Sequence, residues 1–448
     1  MEEYVAAIDL GTTKVVTLVG KKTESGRFQI VAYSEVPSSG VSRGEVQNIL
    51  QVVSTVKPLV EEVRRQSGFN FTDVYVGIAG QHIKCIENRA DVIRNSYDVE
   101  INEKEVRDLE KSIYNIRIDP GEEILHVIPQ TYNVDEKIGV TDPVGMLGKR
   151  LEANYHVVIG KTISAEHTQR CITNAGLNLK KLVLEPIASA AAVLTDDERE
   201  AGVAMVDIGG GTTDVVVYYD NVVRHTAVIP FGGNAITNDI KEGCGVLQRQ
   251  AEQMKIQFGS CFGDLAPENK IITIPGISGR DPREISFRTL AQIIEARMDE
   301  IIGAVTYEIE RSGYLSKLNA GIVFTGGGSM MNHLSQFVKY KTGLDVRMGK
   351  PLYLTTDSGA ELLRPTFSTA VGLIMRGFEY EKADKQKYAD SVVEEKMEVE
   401  LAVTADDFIE KESRRKPKKE KEKSAKNPFQ SILDFTSKIF NEDTDSTV

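Results

Sequence analysis

Two short stretches of this chain place an aspartate before glycines and threonines in nearly the same order. They comprise Asp9, Gly11, Thr12 and Thr13 in the first, and Asp207, Gly209, Gly210, Gly211, Thr212 and Thr213 in the second. Glycine lets backbone N–H groups approach a phosphate closely, and a neighbouring threonine hydroxyl adds a donor. An aspartate repels phosphate but can hold Mg²⁺ through water. We therefore predict a magnesium-nucleotide site with Asp9 and Asp207 near the metal ion.

A third glycine loop supports this interpretation. Gly326, Gly327 and Gly328 follow a strand-like segment and precede a helical pattern. Either aspartate stretch alone would be better explained as an ordinary hairpin turn, but the repetition favours a nucleotide site. The chain has no P-loop signature, and the third loop lacks the G-x-G-x-x-G spacing of dinucleotide-binding proteins.

The segments around the aspartates predict the elements that position them. Apolar runs over 5–10 and 203–207 predict strands that end at the aspartates, and β-branched runs over 15–19 and 215–218 predict the strands that follow. The repeated pattern predicts two lobes built on one plan.

Two segments rich in small residues complete this set. They cover residues 187–194, after Pro186, and residues 368–373. Proline favours the first turn of a helix, so the first segment is predicted to be helical. Such helices either approach each other closely, as at a hinge between lobes, or are tight core helices.

The composition is that of a soluble protein and does not favour nucleic-acid binding. The chain has 448 residues, of which 41% are hydrophobic and 27% charged, and its net charge is −12. The cysteines are far apart in sequence, which indicates neither a disulfide framework nor a zinc site. The first residues lack a signal-peptide pattern, and we expect a cytoplasmic body.

The C-terminal region has a different pattern. Residues 381–426 predict a charged, disordered linker, which holds nine Lys or Arg and three Glu within 411–426. Residues 427–440 predict an amphipathic helix for a membrane surface, although a buried core helix could show the same pattern. Its apolar face consists of Phe429, Ile432, Leu433, Phe435, Ile439 and Phe440.

The order of the motifs resembles the superfamily of actin, heat-shock chaperones and sugar kinases. Those motifs are D-L-G-T-T-K (9–14), E-P-I-A-S-A-A-A (185–192), D-I-G-G-G-T-T-D (207–214), T-G-G-G (325–328) and S-T-A-V-G (368–372). The resemblance implies an α/β, two-lobed actin-like (ribonuclease H-like) fold that closes over ATP and Mg²⁺. It also implies that Lys14 faces the phosphates, that Asp214 lies near the metal ion, and that the third glycine loop lies under the adenosine.

The same resemblance implies roles for three further residues. Glu252 and Lys255 match a pair that grips ribose and adenine, although as bare residues such a pair is more often a solvated ion pair. Glu185 stands where filament-forming relatives position the attacking water. It could instead be a first-turn residue that stabilises the positive end of its helix.

Residues 84–161 interrupt the first lobe and resemble the subdomain inserted in the bacterial cell-division family FtsA. The resemblance rests on the segments 124–132, 142–146 and 148–156. It implies binding of the C-terminal peptide of FtsZ, head-to-tail filaments, contact with an anionic membrane and with other division proteins. It places the chain at the cytoplasmic side of the cell membrane, at the division site. We expect at most slow ATPase activity, because no Arg or Lys is obviously presented to the transition-state charge.

The resemblance also implies a division into subdomains. Subdomain 1A comprises 1–83, 162–198 and 356–380; the inserted subdomain 1C comprises 84–161; subdomain 2A comprises 199–226 and 305–355; subdomain 2B comprises 227–304; an acidic end follows at 441–448. The alternatives are a metabolic kinase, a chaperone ATPase or a pilus-assembly ATPase of the same superfamily. A chaperone would need a C-terminal peptide-binding domain, and the insertion argues against the pilus-assembly protein.

Overall fold

The structure is a computed structural model that describes residues 3–276 and 281–385. The membrane helix, the acidic end and most of the charged linker lie outside the described residues, so they stay predictions. Within the described ranges, no helix combines the length and apolar character needed to cross a membrane.

The strands carry short buried runs of β-branched residues, as in β1, where six of seven residues are buried. In chain order they are β1 (Tyr4–Leu10), β2 (Lys14–Lys22), β3 (Phe28–Pro37), β4 (Val41–Ser42), β5 (Glu45–Val46), β6 (Asp73–Ile78), β7 (Lys84–Ile93), β8 (Glu122–Val134), β9 (Lys137–Val140), β10 (Arg150–Lys161), β11 (Asn178–Leu184), β12 (Val203–Ile208), β13 (Thr213–Tyr219), β14 (Val222–Ile229), β15 (Ile271–Ile274), β16 (Arg283–Ser286), β17 (Ile322–Thr325) and β18 (Val346–Met348).

Several of the helices start and stop at capping residues; Asn48 caps the first, and Gly68 ends it in the left-handed conformation. In chain order they are α1 (Ile49–Ser67), α2 (Glu103–Ile113), α3 (Thr162–Asn174), α4 (Glu185–Val193), α5 (Asp196–Ala201), α6 (Gly233–Cys244), α7 (Gln248–Phe258), α8 (Phe287–Arg311) and α9 (Leu334–Thr342). A last helix, α10, covers the described residues 368–385.

Two five-stranded sheets share one topology. Their orders are β3-β2-β1-β6-β11 and β14-β13-β12-β17-β18. In each, the middle strand pairs antiparallel with the strand that follows it and parallel with a later strand. Asp9 and Asp207 occupy equivalent places, one residue before the ends of β1 and β12. The prediction of two lobes on one plan, in the actin-like α/β fold, is therefore confirmed.

The insertion forms a separate layer with its own sheet, ordered β7-β10-β8-β9, and the helix α2. Leu151 and Tyr155 of β10 are fully buried in its core. On another side it contacts the second lobe, since Cys85 and His156 each place an atom 2.9 Å from the hydroxyl of Thr226 on β14. The insertion therefore touches both lobes.

The two small-residue helices cross between the lobes. A Cβ at Gly372 of α10 would overlap the carbonyl of Ala188 on α4, so the crossing requires glycine. Some of the proposed subdomain boundaries fall inside elements: 198/199 within α5, 226/227 within β14 and 304/305 within α8. All the boundaries stay predictions.

Candidate functional site

A cavity of about 410 Å³ brings residues of both lobes together. The sequence-predicted residues that line it are Asp9, Gly11, Thr12, Thr13, Lys14, Glu185, Asp207, Gly209, Gly210, Gly211, Thr212, Asp214, Glu252, Lys255, Gly326, Gly327 and Gly328. Thr213 does not line it: the side chain is fully buried, and its hydroxyl donates to the carbonyl of Phe231 at 2.9 Å. The structure thus assembles residues that lie more than three hundred positions apart in sequence.

The two aspartate loops face each other across the cavity. A Cβ added to Gly210 would overlap the side chain of Thr13, and one added to Gly211 would overlap Thr12. The hydroxyl of Thr12 also accepts the backbone N–H of Gly44, from the turn between β4 and β5, at 3.1 Å. These glycines are thus required by the close approach of the two loops, in addition to any role towards phosphate.

Lys14 lines the cavity, but its ammonium group is engaged. It lies 2.6 Å from a carboxylate oxygen of Glu35 and 3.6 Å from the ring centroid of Phe367. Its positive charge lowers the pKa of Asp9, although burial outweighs that effect. Lys14 therefore lies at the edge of the cavity, where its ammonium group contacts Glu35 and Phe367.

Four carboxyl groups surround the aspartate and glycine loops: Asp9, Asp207 and Asp214 are buried, and Glu185 is partly exposed. Burial is the main cause that raises the pKa of Asp9 to about 7, and Asp207 adds repulsion. Burial also raises the pKa values of Glu185 and Asp214 well above their usual range, and the other carboxylates increase both shifts. Such a group of like charges is stabilised by a cation.

The carboxyl groups fit a hydrated magnesium ion. Oδ1 of Asp214 is buried and has no hydrogen-bond partner among the described residues, so it can accept a hydrogen bond from a metal-bound water. Among the described residues, no three Asp, Glu, His or Cys side chains are placed to hold a metal ion directly. Magnesium commonly keeps several waters, so ligation through water suits this geometry.

Two hydroxyl groups that the sequence analysis did not single out orient Asp207. Ser189 and Thr369 donate to its Oδ2 at 2.7 and 3.1 Å. They belong to the small-residue helices α4 and α10. The available signal was one serine among the alanines of α4 and a threonine in the small-residue segment 368–373.

Glu185 begins α4. Its carboxyl group packs against Gly77 near the end of β6, 3.1 Å from the place that an added Cβ would occupy. The residue before it, Leu184, donates its backbone N–H to Nε2 of His126 at 3.0 Å. His126 belongs to the insertion and had no distinguishing sequence pattern. Glu185 thus lies in the first turn of its helix and also lines the cavity, so its position is compatible with both roles considered for it.

Glu252 and Lys255 form an ion pair of 2.8 Å on α7. Lys255 also donates to the carbonyl of Gly233 at 3.0 Å and to Thr237 at 2.8 Å. The pair lines the cavity and at the same time fixes the start of α6. The sequence analysis missed the apolar wall next to it, formed by Ile256, Met330, Met331 and Pro365.

Models of two protein families match the chain. The family described as "Cell division protein FtsA" matches residues 204–372, and "SHS2 domain inserted in FTSA" matches residues 80–159. The second match nearly coincides with the insertion predicted at 84–161.

Similar proteins include the cell division protein FtsA of several bacteria. That of Pseudomonas aeruginosa is 36% identical over 377 residues, which cover 84% of this chain and 90% of that protein. That of Neisseria meningitidis serogroup B is 37% identical over 374 residues, with 83% and 90% covered. That of Escherichia coli K12 is 34% identical over 386 residues, with 84% and 91% covered.

Solved structures share the fold at low sequence identity. A type IV pilus biogenesis complex of PilM and PilN matches with a TM-score of 0.58 and 15% identity over 83% of this chain and 98% of that one. MreB5 of Spiroplasma citri bound to ADP matches with a TM-score of 0.51 and 13% identity over 87% and 98%. At these identities the likeness concerns the fold alone.

Proposed function

The chain belongs to the family of the cell division protein FtsA, and from this premise we propose that it binds ATP with Mg²⁺ between its two lobes. We further propose that it assembles head to tail and links the FtsZ ring to the cytoplasmic face of the membrane through its C-terminal segment. Its actin-like fold and its place among cell division proteins support this function.

The group of four carboxyl groups, three of them buried, beside facing glycine loops is the observation that carries the nucleotide proposal. Asp9 and Asp207 would hold a hydrated magnesium ion from opposite lobes, and Asp214 would accept a hydrogen bond from its water. Backbone N–H groups near Gly11 and Gly210 would bind the phosphates. Mg²⁺, when bound, would neutralise the charge that the carboxylates and the triphosphate concentrate there.

Turnover is expected to be slow. Glu185 would orient the attacking water, but its raised pKa disfavours the ionised form that acts as a base. Lys14 and Lys255 are both held in ion pairs, and Arg364, which also lines the cavity, is exposed. These cations are poorly placed to stabilise transition-state charge.

Calorimetry of ATP binding with Mg²⁺ tests this site. Asp207→Ala removes a metal-facing carboxylate, and Gly210→Arg forces the two loops apart through Thr13. Both variants are expected to lose ATP binding while keeping the circular dichroism spectrum of the unmodified chain. Gly303→Ala, at an open position on α8, is the control and should bind normally. Undiminished affinity in both site variants would refute the proposal.

Self-assembly is supported by the apolar side chains that one end of the insertion exposes. Ile93 is 68% exposed, Tyr97 73%, Val99 54% and Leu147 57%. Hydrogen bonds of Arg94 to the carbonyls of Val99 and Gly148 hold these segments together. A contact between this end and a different surface of the next copy would be heterologous and would propagate as a filament.

The remaining partners are proposed from family membership. The C-terminal peptide of FtsZ would dock in the region 227–304, which contains α6, α7 and most of α8. Residues 427–440 would lie in an anionic membrane surface, with the basic residues of 411–426 adding attraction. Other division proteins would bind the assembled chain.

A further inference from the structure

Hydroxyl side chains of α4 and α10 hold the ends of two neighbouring strands of the second lobe. Ser189 and Thr369 both donate to Oδ2 of Asp207, at the end of β12, and their hydroxyl oxygens lie 3.0 Å apart. One residue before Thr369, Ser368 places its hydroxyl 2.7 Å from that of Thr325, at the end of β17. The strand ends that carry the aspartate and the third glycine loop are thus both tied to the helices that cross between the lobes.

Ser189 has no packing reason to be a serine. It is fully buried in α4, between Ala188 and Ala190, where alanine would be the better helix former. A buried hydroxyl destabilises the fold unless it makes a hydrogen bond. Its partner is the carboxylate of Asp207, so we attribute the serine at this position to the hydrogen bond that it donates to that carboxylate.

The two hydrogen bonds fix the orientation of Asp207. Both end on Oδ2, and the other oxygen, Oδ1, lies against Gly326, where a Cβ would overlap it. Gly326 lines the cavity, so Oδ1 is the oxygen on the side of the third glycine loop.

We propose that Ser189 and Thr369 are positioning residues that occupy Oδ2 of Asp207 and thereby present Oδ1 to the hydration shell of the magnesium ion. This inference rests on the proposed binding of ATP with Mg²⁺. It makes the crossing of α4 and α10 part of the metal site, because one hydroxyl from each helix must reach the same oxygen.

The test separates magnesium from nucleotide. Ser189→Ala and Thr369→Val each remove one hydroxyl, and Thr369→Ser retains it. Thr17→Val is the matched control, since the buried hydroxyl of Thr17 in β2 has no hydrogen-bond partner within the described part of the chain. ATP affinity is measured by calorimetry in excess EDTA and at increasing Mg²⁺ concentration.

We expect each hydroxyl deletion to raise the Mg²⁺ concentration at half-maximal enhancement of ATP binding by about tenfold, as for a lost hydrogen bond to a charged group. Affinity in EDTA should change by less than about twofold. Thr369→Ser and Thr17→Val should match the unmodified chain. Ser189→Ala is expected to fold because it introduces the best helix former.

An equal loss of affinity with and without Mg²⁺ would show a purely structural role and overturn the inference. Unchanged Mg²⁺ dependence in both deletions would overturn it as well, while leaving ATP binding by the unmodified chain intact. If the unmodified chain binds no ATP in either condition, the proposed function itself is wrong, and this role falls with it.

Discussion

Nε2 of His126 accepts the backbone N–H of Leu184 at 3.0 Å, and Leu184 directly precedes Glu185 at the start of α4. His126 lies on β8 of the insertion, so the inserted layer is bonded to the backbone beside the water-orienting candidate. Burial, together with smaller contributions from the charges of Lys181 and Arg376, lowers the pKa of His126 to about 3. The ring is therefore neutral and can act as an acceptor.

His126→Leu is expected to lower the free energy of unfolding by about 1–3 kcal/mol, because it leaves a buried N–H without an acceptor. His167→Leu, at a partly exposed position on α3, is the control and should change it by less than about 0.5 kcal/mol. Urea titration measures both. Equal stability of the two variants would show that the contact contributes nothing.

The pH dependence of stability gives a second readout for His126. Its pKa is lower in the folded state than the usual 6.5, so the unfolded chain binds the proton first. The stabilisation from the neutral ring is present above pH 6.5 and is lost as the pH falls towards 3. In His126→Leu, the free energy of unfolding should therefore fall less steeply as the pH is lowered. Part of the dependence should remain, because burial also lowers the pKa of His156 to about 4.

Magnesium-nucleotide binding should release protons near pH 6. Burial raises the pKa of Asp9 to about 7, above the usual 3.8, so the carboxyl group is largely protonated below that value. A nearby Mg²⁺ favours the ionised form and expels the proton. Calorimetry in buffers of different ionisation enthalpy should show release at pH 6 that declines above pH 7. Asp9→Asn should reduce it, and equal release by that variant would assign the proton elsewhere.

Without ligand, the ionisation of Asp9 should make the stability of the chain depend on pH in the opposite direction to that of His126. Since the pKa of Asp9 is raised on folding, its contribution is most favourable below pH 3.8 and is lost as the pH rises through about 7. Added Mg²⁺ with ATP should restore stability above pH 7. A thermal melt at pH 8 that does not respond to Mg²⁺ and ATP would contradict the assignment of Asp9 to the metal site.

The sequence indicated which loops line the cavity because the same pattern of aspartate, glycine and threonine recurs at the ends of two strands. Asp9 and Asp207 lie where the repeated pattern placed them, and the residues around Gly326 line the same cavity. The pattern could not show that Gly210 and Gly211 also permit contact between loops. That requirement depends on Thr13 and Thr12, which are about two hundred positions away.

Side chains whose role comes from a distant partner escaped the sequence analysis. Ser189 was counted as one more small residue in a helix, because its acceptor is on another lobe. His126 lies in β8, and the sequence of that strand indicates only a partly buried strand, with nothing that singles out this residue. In the same way, Thr213 shares the loop motif, but the strand periodicity turns its side chain towards Phe231 and away from the cavity.

Filament formation should depend on the exposed apolar end of the insertion. Ile93→Glu with Leu147→Glu places charges on that end, where we expect a dry contact with the next copy, and should abolish filaments on lipid monolayers with ATP in electron microscopy. Ile163→Glu, on α3, alters a residue of similar exposure outside the insertion and is the control. Loss of filaments in the control, or their persistence in the double variant, would place the interface elsewhere.

The final prediction concerns the segment 427–440, whose six large apolar residues fall within an arc of about 160° at 100° per residue. Burying them contributes roughly 1.5–3 kcal/mol each, less the cost of ordering the helix, which predicts reversible membrane binding. The upstream basic residues add about 1 kcal/mol each near an anionic surface, and salt screens that part.

Ile432→Glu with Phe435→Glu should therefore release the full chain from vesicles of anionic lipid in a sedimentation assay, at unchanged ATP affinity. Ser431→Glu with Ser437→Glu adds the same charge on the polar face and is the matched control. It should bind only slightly less than the unmodified chain, because no apolar area is lost. Raising the salt concentration should weaken binding of the unmodified chain without abolishing it, since the apolar contribution is not screened. If both double variants leave the vesicles equally, charge alone governs the attachment, and the apolar face is not inserted. If neither does, the attachment lies in another part of the chain.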